Sequence, residues 1–75
     1  MTKRLPSVRP QEVIRALERA GWEVQRQRGS HVSLNKEGVS AIVTVPMHRR
    51  DMPRGTLTGI IKDAGMTVDE FVSLL

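Results

Sequence analysis

The sequence of 75 residues contains no cysteine. That absence excludes disulfide staples, thiolate zinc sites and a cysteine nucleophile. There is no long hydrophobic run. No stretch approaches the ~20 apolar residues that a membrane helix needs, and the basic start, Met1 to Pro6, has no apolar segment behind it as a secretory signal would. The expectation is a cytoplasmic chain with no membrane partner. Several kinds of chemistry also lack their residues. No serine sits in a nucleophile elbow, no pair of carboxylates flanks an evident cleft, and no phosphate-binding loop or dinucleotide fingerprint occurs.

What is present is a small, basic chain. Its length leaves room for one domain over residues 1–75, with 1–6 as a basic N-terminal tail. A domain of this size buries only about 60% of the surface its unfolded chain exposes, so a deep enclosed pocket would take volume the core needs. An active site is therefore expected on the surface, suited to a large, extended substrate. Twelve Lys and Arg stand against eight Asp and Glu, for a net charge of +4. Most of the cations are arginine, whose planar fork of donors fits phosphate. This balance points to a polyanionic partner, nucleic acid or an acidic protein surface, although a solvated basic surface that aids solubility has the same composition.

The pattern along the chain predicts an α+β order. Pro10 to Ala20 reads as a helix: proline suits the first turn, Glu12 lies near the positive end of the helix dipole, Val13, Ile14 and Leu17 recur at helical spacing, and Gly21 supplies a left-handed cap. Trp22 to Gln27 reads as a strand with Trp22 and Val24 on its buried side. Arg28, Gly29 and Ser30 form a turn. His31 to Asn35 is a second strand, with Val32 and Leu34 pointing one way and His31, Ser33 and Asn35 the other. Lys36, Glu37 and Gly38 make a hairpin turn. Ser40 to Val45 is a third strand, rich in β-branched residues and stopped by Pro46. Met47 to Arg54 is a basic loop. A second helix runs from Gly55 or Thr56 to Ala64, with Leu57, Ile60, Ile61 and Ala64 on its apolar face. Thr67 and Glu70 fit a capping box ahead of a short last helix packed through Phe71, Val72 and Leu75. Three helices with one apolar stripe each are most simply placed on one face of a three-stranded antiparallel sheet. The other face then stays open, and His31 points to it.

The residues that could carry chemistry reduce to His31 and His48 with the arginines around them. His31 follows Gly29 and Ser30, with Arg26 and Arg28 just upstream. Gly29 can take a positive φ and lets a phosphate backbone approach closely. Imidazoles exchange protons near neutrality, and RNA supplies its own nucleophile, the 2′-hydroxyl. A histidine that removes this proton would drive attack on the adjacent phosphorus, while nearby guanidinium groups stabilise charge on the phosphate oxygens. DNA lacks that hydroxyl. The competing reading of His31 is a surface histidine that hydrogen-bonds the turn. His48 suits phosphate contact or support better than catalysis, and Arg49, Arg50 and Arg54 read either as a phosphate track or as a solvated charge run. Trp22 fits core packing better than base stacking. The two histidines have no carboxylate or thiolate at useful spacing to complete a metal site, so no metal and no cofactor is expected.

Taken in order, Gly21-Trp22, Arg26 and Gly29-Ser30-His31 resemble the central signature of the HicA (YcfA-like) toxin family. Val45-Pro46 with His48 two residues on, Gly55-Thr56-Leu57 with Ile60, the Ala64-Gly65 helix end, and Glu70-Phe71 with the closing leucines extend the likeness from about Leu5 to Leu75. Each motif is short, and their order and spacing make the match specific. The resemblance implies a fold similar to a double-stranded-RNA-binding domain and an mRNA interferase activity that cleaves RNA and arrests growth. It implies that the histidine of the Gly-Ser-His motif, His31, is catalytic; the reading of the residues themselves supplies Arg26, Arg28, Gly29, Ser30, His48, Arg49 and Arg50 as the expected RNA contacts. The partner it implies is a HicB-type antitoxin that forms a hetero-oligomer with the toxin and covers the site. The alternatives are a non-catalytic RNA-binding module of the same fold and a chain whose basic face only docks a protein. The donor of the leaving-group proton stays open among His48, Ser30 and water.

Overall fold

A computed structural model describes residues 4–47 and 50–75. The elements are α1 (Pro10–Arg19), β1 (Glu23–Arg28), β2 (His31–Lys36), β3 (Val39–Pro46), α2 (Arg54–Asp63) and α3 (Val68–Ser73). The three strands form an antiparallel sheet in the order β1-β2-β3. The helices α1 and α2 pack on one face of it, chiefly over β3, and α3 packs against α2. This is the α+β arrangement, similar to a double-stranded-RNA-binding domain, that the sequence predicts. The molecule measures 35 × 30 × 17 Å, and its short dimension has room for two layers only.

Local chemistry explains where each element stops. Proline opens α1, and the Glu12 carboxylate accepts a hydrogen bond from the Arg9 N–H at 3.0 Å, satisfying one of the free donors of the first turn. At the other end Gly21 has φ +97°, its N–H donates to Glu18 O and the Trp22 N–H donates to Leu17 O, each at 3.0 Å. That pair of bonds is a Schellman motif. It turns the chain directly from the helix into the sheet and brings Trp22 down beside Leu17, both in the core. The last helix is held by the predicted capping box. The Glu70 N–H donates to Thr67 Oγ1 at 3.1 Å, and the Thr67 N–H donates to Glu70 Oε1 at 2.9 Å.

The core is entirely apolar among the described residues. Val13, Ala16 and Leu17 of α1, Val32 and Leu34 of β2, Val43 and Val45 of β3, Leu57, Ile60 and Ile61 of α2 and Phe71 of α3 are buried together with Val8, Trp22 and Met52. No polar or charged described residue is buried, and no buried side-chain polar atom lacks a partner. Every described group with chemistry in it is therefore on the surface, where a small core forces it to be.

Four expectations need correction. Val24 is 45% exposed rather than buried. It pairs with Leu34, but a bulge between Val24 and Arg26 disturbs the edge strand, and the helices lie mainly over β3, with α1 alone reaching β1. Leu75 is 41% exposed, and the preceding Leu74 packs on the core in its place. The segment read as a basic tail carries Leu5, which packs against the core, and it leads into buried Val8, whose carbonyl accepts from the Met52 N–H at 2.7 Å. Finally, α2 starts at Arg54, one residue earlier than expected.

Candidate functional site on the open face of the sheet

The turn between β1 and β2 decides where His31 stands. Arg28 pairs with His31, so the loop has two residues, Gly29 and Ser30. Gly29 has φ +58°, and no residue other than glycine has a positive φ among those described. A positive φ at the first loop position and a negative one at the second is the II′ pattern, whose twist matches that of the flanking strands. An added Cβ at Gly29 would meet nothing within 4 Å. The glycine is thus required by backbone conformation, and the turn tip stays open to approach.

The strand register then sorts the side chains. Val32 and Leu34 alternate into the core, so His31, Ser33 and Asn35 fall on the open face. Arg28 stands opposite His31, Arg26 opposite Ser33 and Glu23 opposite Asn35. Directly opposed residues have Cβ atoms about 4.5–5.5 Å apart, which puts the Arg28 guanidinium within reach of whatever the His31 imidazole touches. The bulge at Val24/Arg26 aligns the two arginines with this face, because without the extra residue Arg26 would fall on the opposite side from Ser33. His31, Arg26 and Arg28 are all exposed, and none of the three makes an ion pair or a side-chain hydrogen bond with a described residue. Two guanidinium groups without a carboxylate partner among the described residues thus stand beside the imidazole. Among the described residues no group of three or more His, Cys, Asp or Glu side chains could hold a metal.

His31 is also the junction with β3. It pairs with Pro46, and the Met47 N–H donates to Ser30 O at 2.5 Å. The segment after β3 therefore begins beside the turn that precedes His31. Its far end is pinned where Met52 bonds Val8. Between these anchors Arg50 is exposed, while His48 and Arg49, both expected to contact RNA, lie outside the described residues. Arg54 belongs to α2, where its carbonyl accepts from the Thr58 hydroxyl at 2.8 Å.

The structure brings together five of the residues singled out in the sequence, Arg26, Arg28, Gly29, Ser30 and His31, at one end of the open face. Trp22 packs in the core at 2% exposure and takes no part. Sequence reasoning placed Ser33 and Asn35 on this face without giving them a role, and singled out neither Gln25 nor Ile42. Gln25, Ser33, Asn35 and Ile42 line a shallow depression of about 400 Å³ on the same face together with Arg26. Alternation from the buried Leu34 and Val43 places Ser33, Asn35 and Ile42 there, and Gln25 is the extra residue of the β1 bulge.

Comparison with known proteins gives one positive finding. A family model described as HicA toxin of bacterial toxin-antitoxin matches residues 10–66. That span begins at the first residue of α1 and includes the whole sheet, the Gly29–His31 turn and α2. A search of curated proteins finds no match.

Proposed function

The chain belongs to the HicA toxin family of bacterial toxin–antitoxin systems, and from this premise we propose that it is a toxin that cleaves messenger RNA, with His31 as the acid–base group and residues 1–75 acting as one domain. The observation that carries the reading is the placement of His31. It is an exposed imidazole beside a glycine turn, opposite Arg28 and one pair along from Arg26, on the face of the sheet that no helix covers.

The chemistry follows from these groups and from RNA itself. The neutral imidazole of His31 takes the proton of a 2′-hydroxyl as its oxygen bonds to the adjacent phosphorus. The bond from phosphorus to the 5′-oxygen breaks, and that oxygen leaves with a proton from an acid. The products are a 2′,3′-cyclic phosphate and a 5′-hydroxyl end, so the atoms balance with no metal and no external nucleophile. His48, Ser30 and water are the available sources of the second proton. Arg28 and Arg26 present five N–H donors each toward the phosphate oxygens, on which negative charge builds during attack. The open face admits a polymer, as an enclosed pocket in a core this small would not.

On this reading the reaction takes place in the cytoplasm, where messenger RNA is available. A HicB-type antitoxin would hold it in check by covering the same face as part of a hetero-oligomer. The test is expression from a tightly controlled promoter, wild type beside His31→Ala, with growth and mRNA integrity followed together. Rapid arrest with mRNA loss in the wild type alone is expected. A folded wild type that binds RNA, leaves mRNA intact and permits growth would make the chain a non-catalytic RNA-binding module instead.

A further inference from the structure

The depression beside the His31 site has no assigned role, and its lining is unusual for a solvated sheet. Ile42 is 66% exposed, more than any other large apolar side chain described. Around it stand Gln25, Arg26, Ser33 and Asn35. The two amides and the hydroxyl make no side-chain hydrogen bond with any described residue. Ser33 and Asn35 are half-buried. Donors and acceptors that are partly desolvated and unpaired, set around an exposed apolar side chain, form a surface with something to gain from a flat, polar-edged ligand.

We propose that this depression is a nucleobase subsite. It takes one unpaired base of the RNA next to the scissile phosphate and sets which base is accepted there. The inference rests on the ribonuclease reading of His31 and extends it from phosphate chemistry to sequence preference.

Three observations commit the depression to a base. The first is spacing. Ser33 lies two residues from His31 on the same strand, about 6.8 Å along it, so a phosphate held at His31 and Arg28 puts the neighbouring base over Ser33 and Arg26. The second is the lack of aromatic platforms. Single-stranded RNA is usually read by stacking bases on aromatic rings or on the planes of arginine guanidinium groups. This chain has no tyrosine, and both Trp22 and Phe71 are in the core. On the open face the stacking surface falls to the Arg26 guanidinium with the Ile42 side chain beside it. The third is hydrogen-bonding capacity. The amides of Asn35 and Gln25 each offer donors and an acceptor, the complement needed to match a base edge. Glu23, opposite Asn35, is not part of the lining. Its carboxylate ends the positive strip and limits the subsite to one nucleotide.

The experiment uses the full chain and single-stranded oligoribonucleotides. Binding is measured by fluorescence anisotropy in the His31→Ala background, so that no cleavage is needed. Ile42→Ala, Asn35→Ala and the pair are compared, with circular dichroism to verify folding. Loss of the apolar surface that a bound base covers predicts a drop of about tenfold in affinity for Ile42→Ala. Separately, the ends produced by chains with an intact His31 are sequenced. Asn35→Ala is expected to change the base found beside the cut while cleavage continues at other sites. Unchanged affinity and unchanged cleavage positions in both variants overturn the subsite and leave the depression to a protein partner, even though the ribonuclease reading survives. If none of the folded proteins binds RNA, the subsite and the ribonuclease reading fall together.

Discussion

Neighbouring residues on β3 offer a sharp test of how the sheet divides the molecule. Val43 is fully buried and Ile42 is 66% exposed, although they are adjacent and both β-branched. Truncating Val43 to alanine removes two methyl groups from the core. Transfer contributes roughly 0.8 kcal/mol for each, and the unfilled space left under α1 and α2 adds to it, for a total of about 2–3 kcal/mol. Total stability for a chain of this length is about 4–11 kcal/mol, so this one change removes a large share. Ile42→Ala takes away no packed surface and loses only strand preference, below about 1 kcal/mol. In urea titrations, with a slope of about 1 kcal/mol/M for a small domain, Val43→Ala lowers the midpoint by about 2 M or more and Ile42→Ala by less than half of that. Equal losses at the two positions would refute the assignment of one buried and one open face, and with it the placement of His31.

Two further outcomes follow from local geometry. Gly29→Ala meets no neighbour but must hold φ +58°, so it costs about 1–2 kcal/mol of backbone strain, lowers the melting temperature by roughly 4–8 °C per kcal/mol, and reduces RNA cleavage because the turn sets His31; a neutral effect on both would contradict the turn assignment. The Thr67 backbone N–H, and secondly its hydroxyl, hold the Glu70 carboxyl below its ordinary pKa, so the folded state binds that proton less readily than the unfolded chain does. The stabilisation is therefore complete above about pH 5 and is lost as the pH falls through the depressed value. Thr67→Ala should cost about 1 kcal/mol at neutral pH, and Glu70→Gln should flatten the acid limb of a stability curve measured by denaturant titration; an unaltered acid limb would show that the capping box does not persist in solution.

Much of the fold was legible because its signals are local. Pro10, the Gly21 cap, the Thr67 and Glu70 pair and the alternation from His31 to Asn35 each act within a few residues, and each element they mark is present. What was missed depends on tertiary placement. The exposure of Val24 follows from where the helices lie across the sheet, which its own sequence neighbourhood does not encode. The burial of Val8 and Met52 follows from a hydrogen bond between segments 44 residues apart in sequence. The site divides in the same way. The Gly29-Ser30-His31 turn could be read directly, whereas the depression at Ile42 is assembled from three strands, with Ile42 next along from the pair of Leu34 and Val43 and Gln25 the extra residue of the β1 bulge, so it depends on a strand register that local signals do not specify.

The most direct test of the ribonuclease reading is a cleavage assay with purified chain in the presence of a chelator. The wild type and His31→Ala are each given a single-stranded RNA and the same strand with 2′-deoxy sugars. Cleavage of the RNA by the wild type alone, leaving 2′,3′-cyclic phosphate ends and an intact deoxy strand, is the predicted result. Cleavage of the deoxy strand, or undiminished cleavage by a folded His31→Ala, would contradict the account.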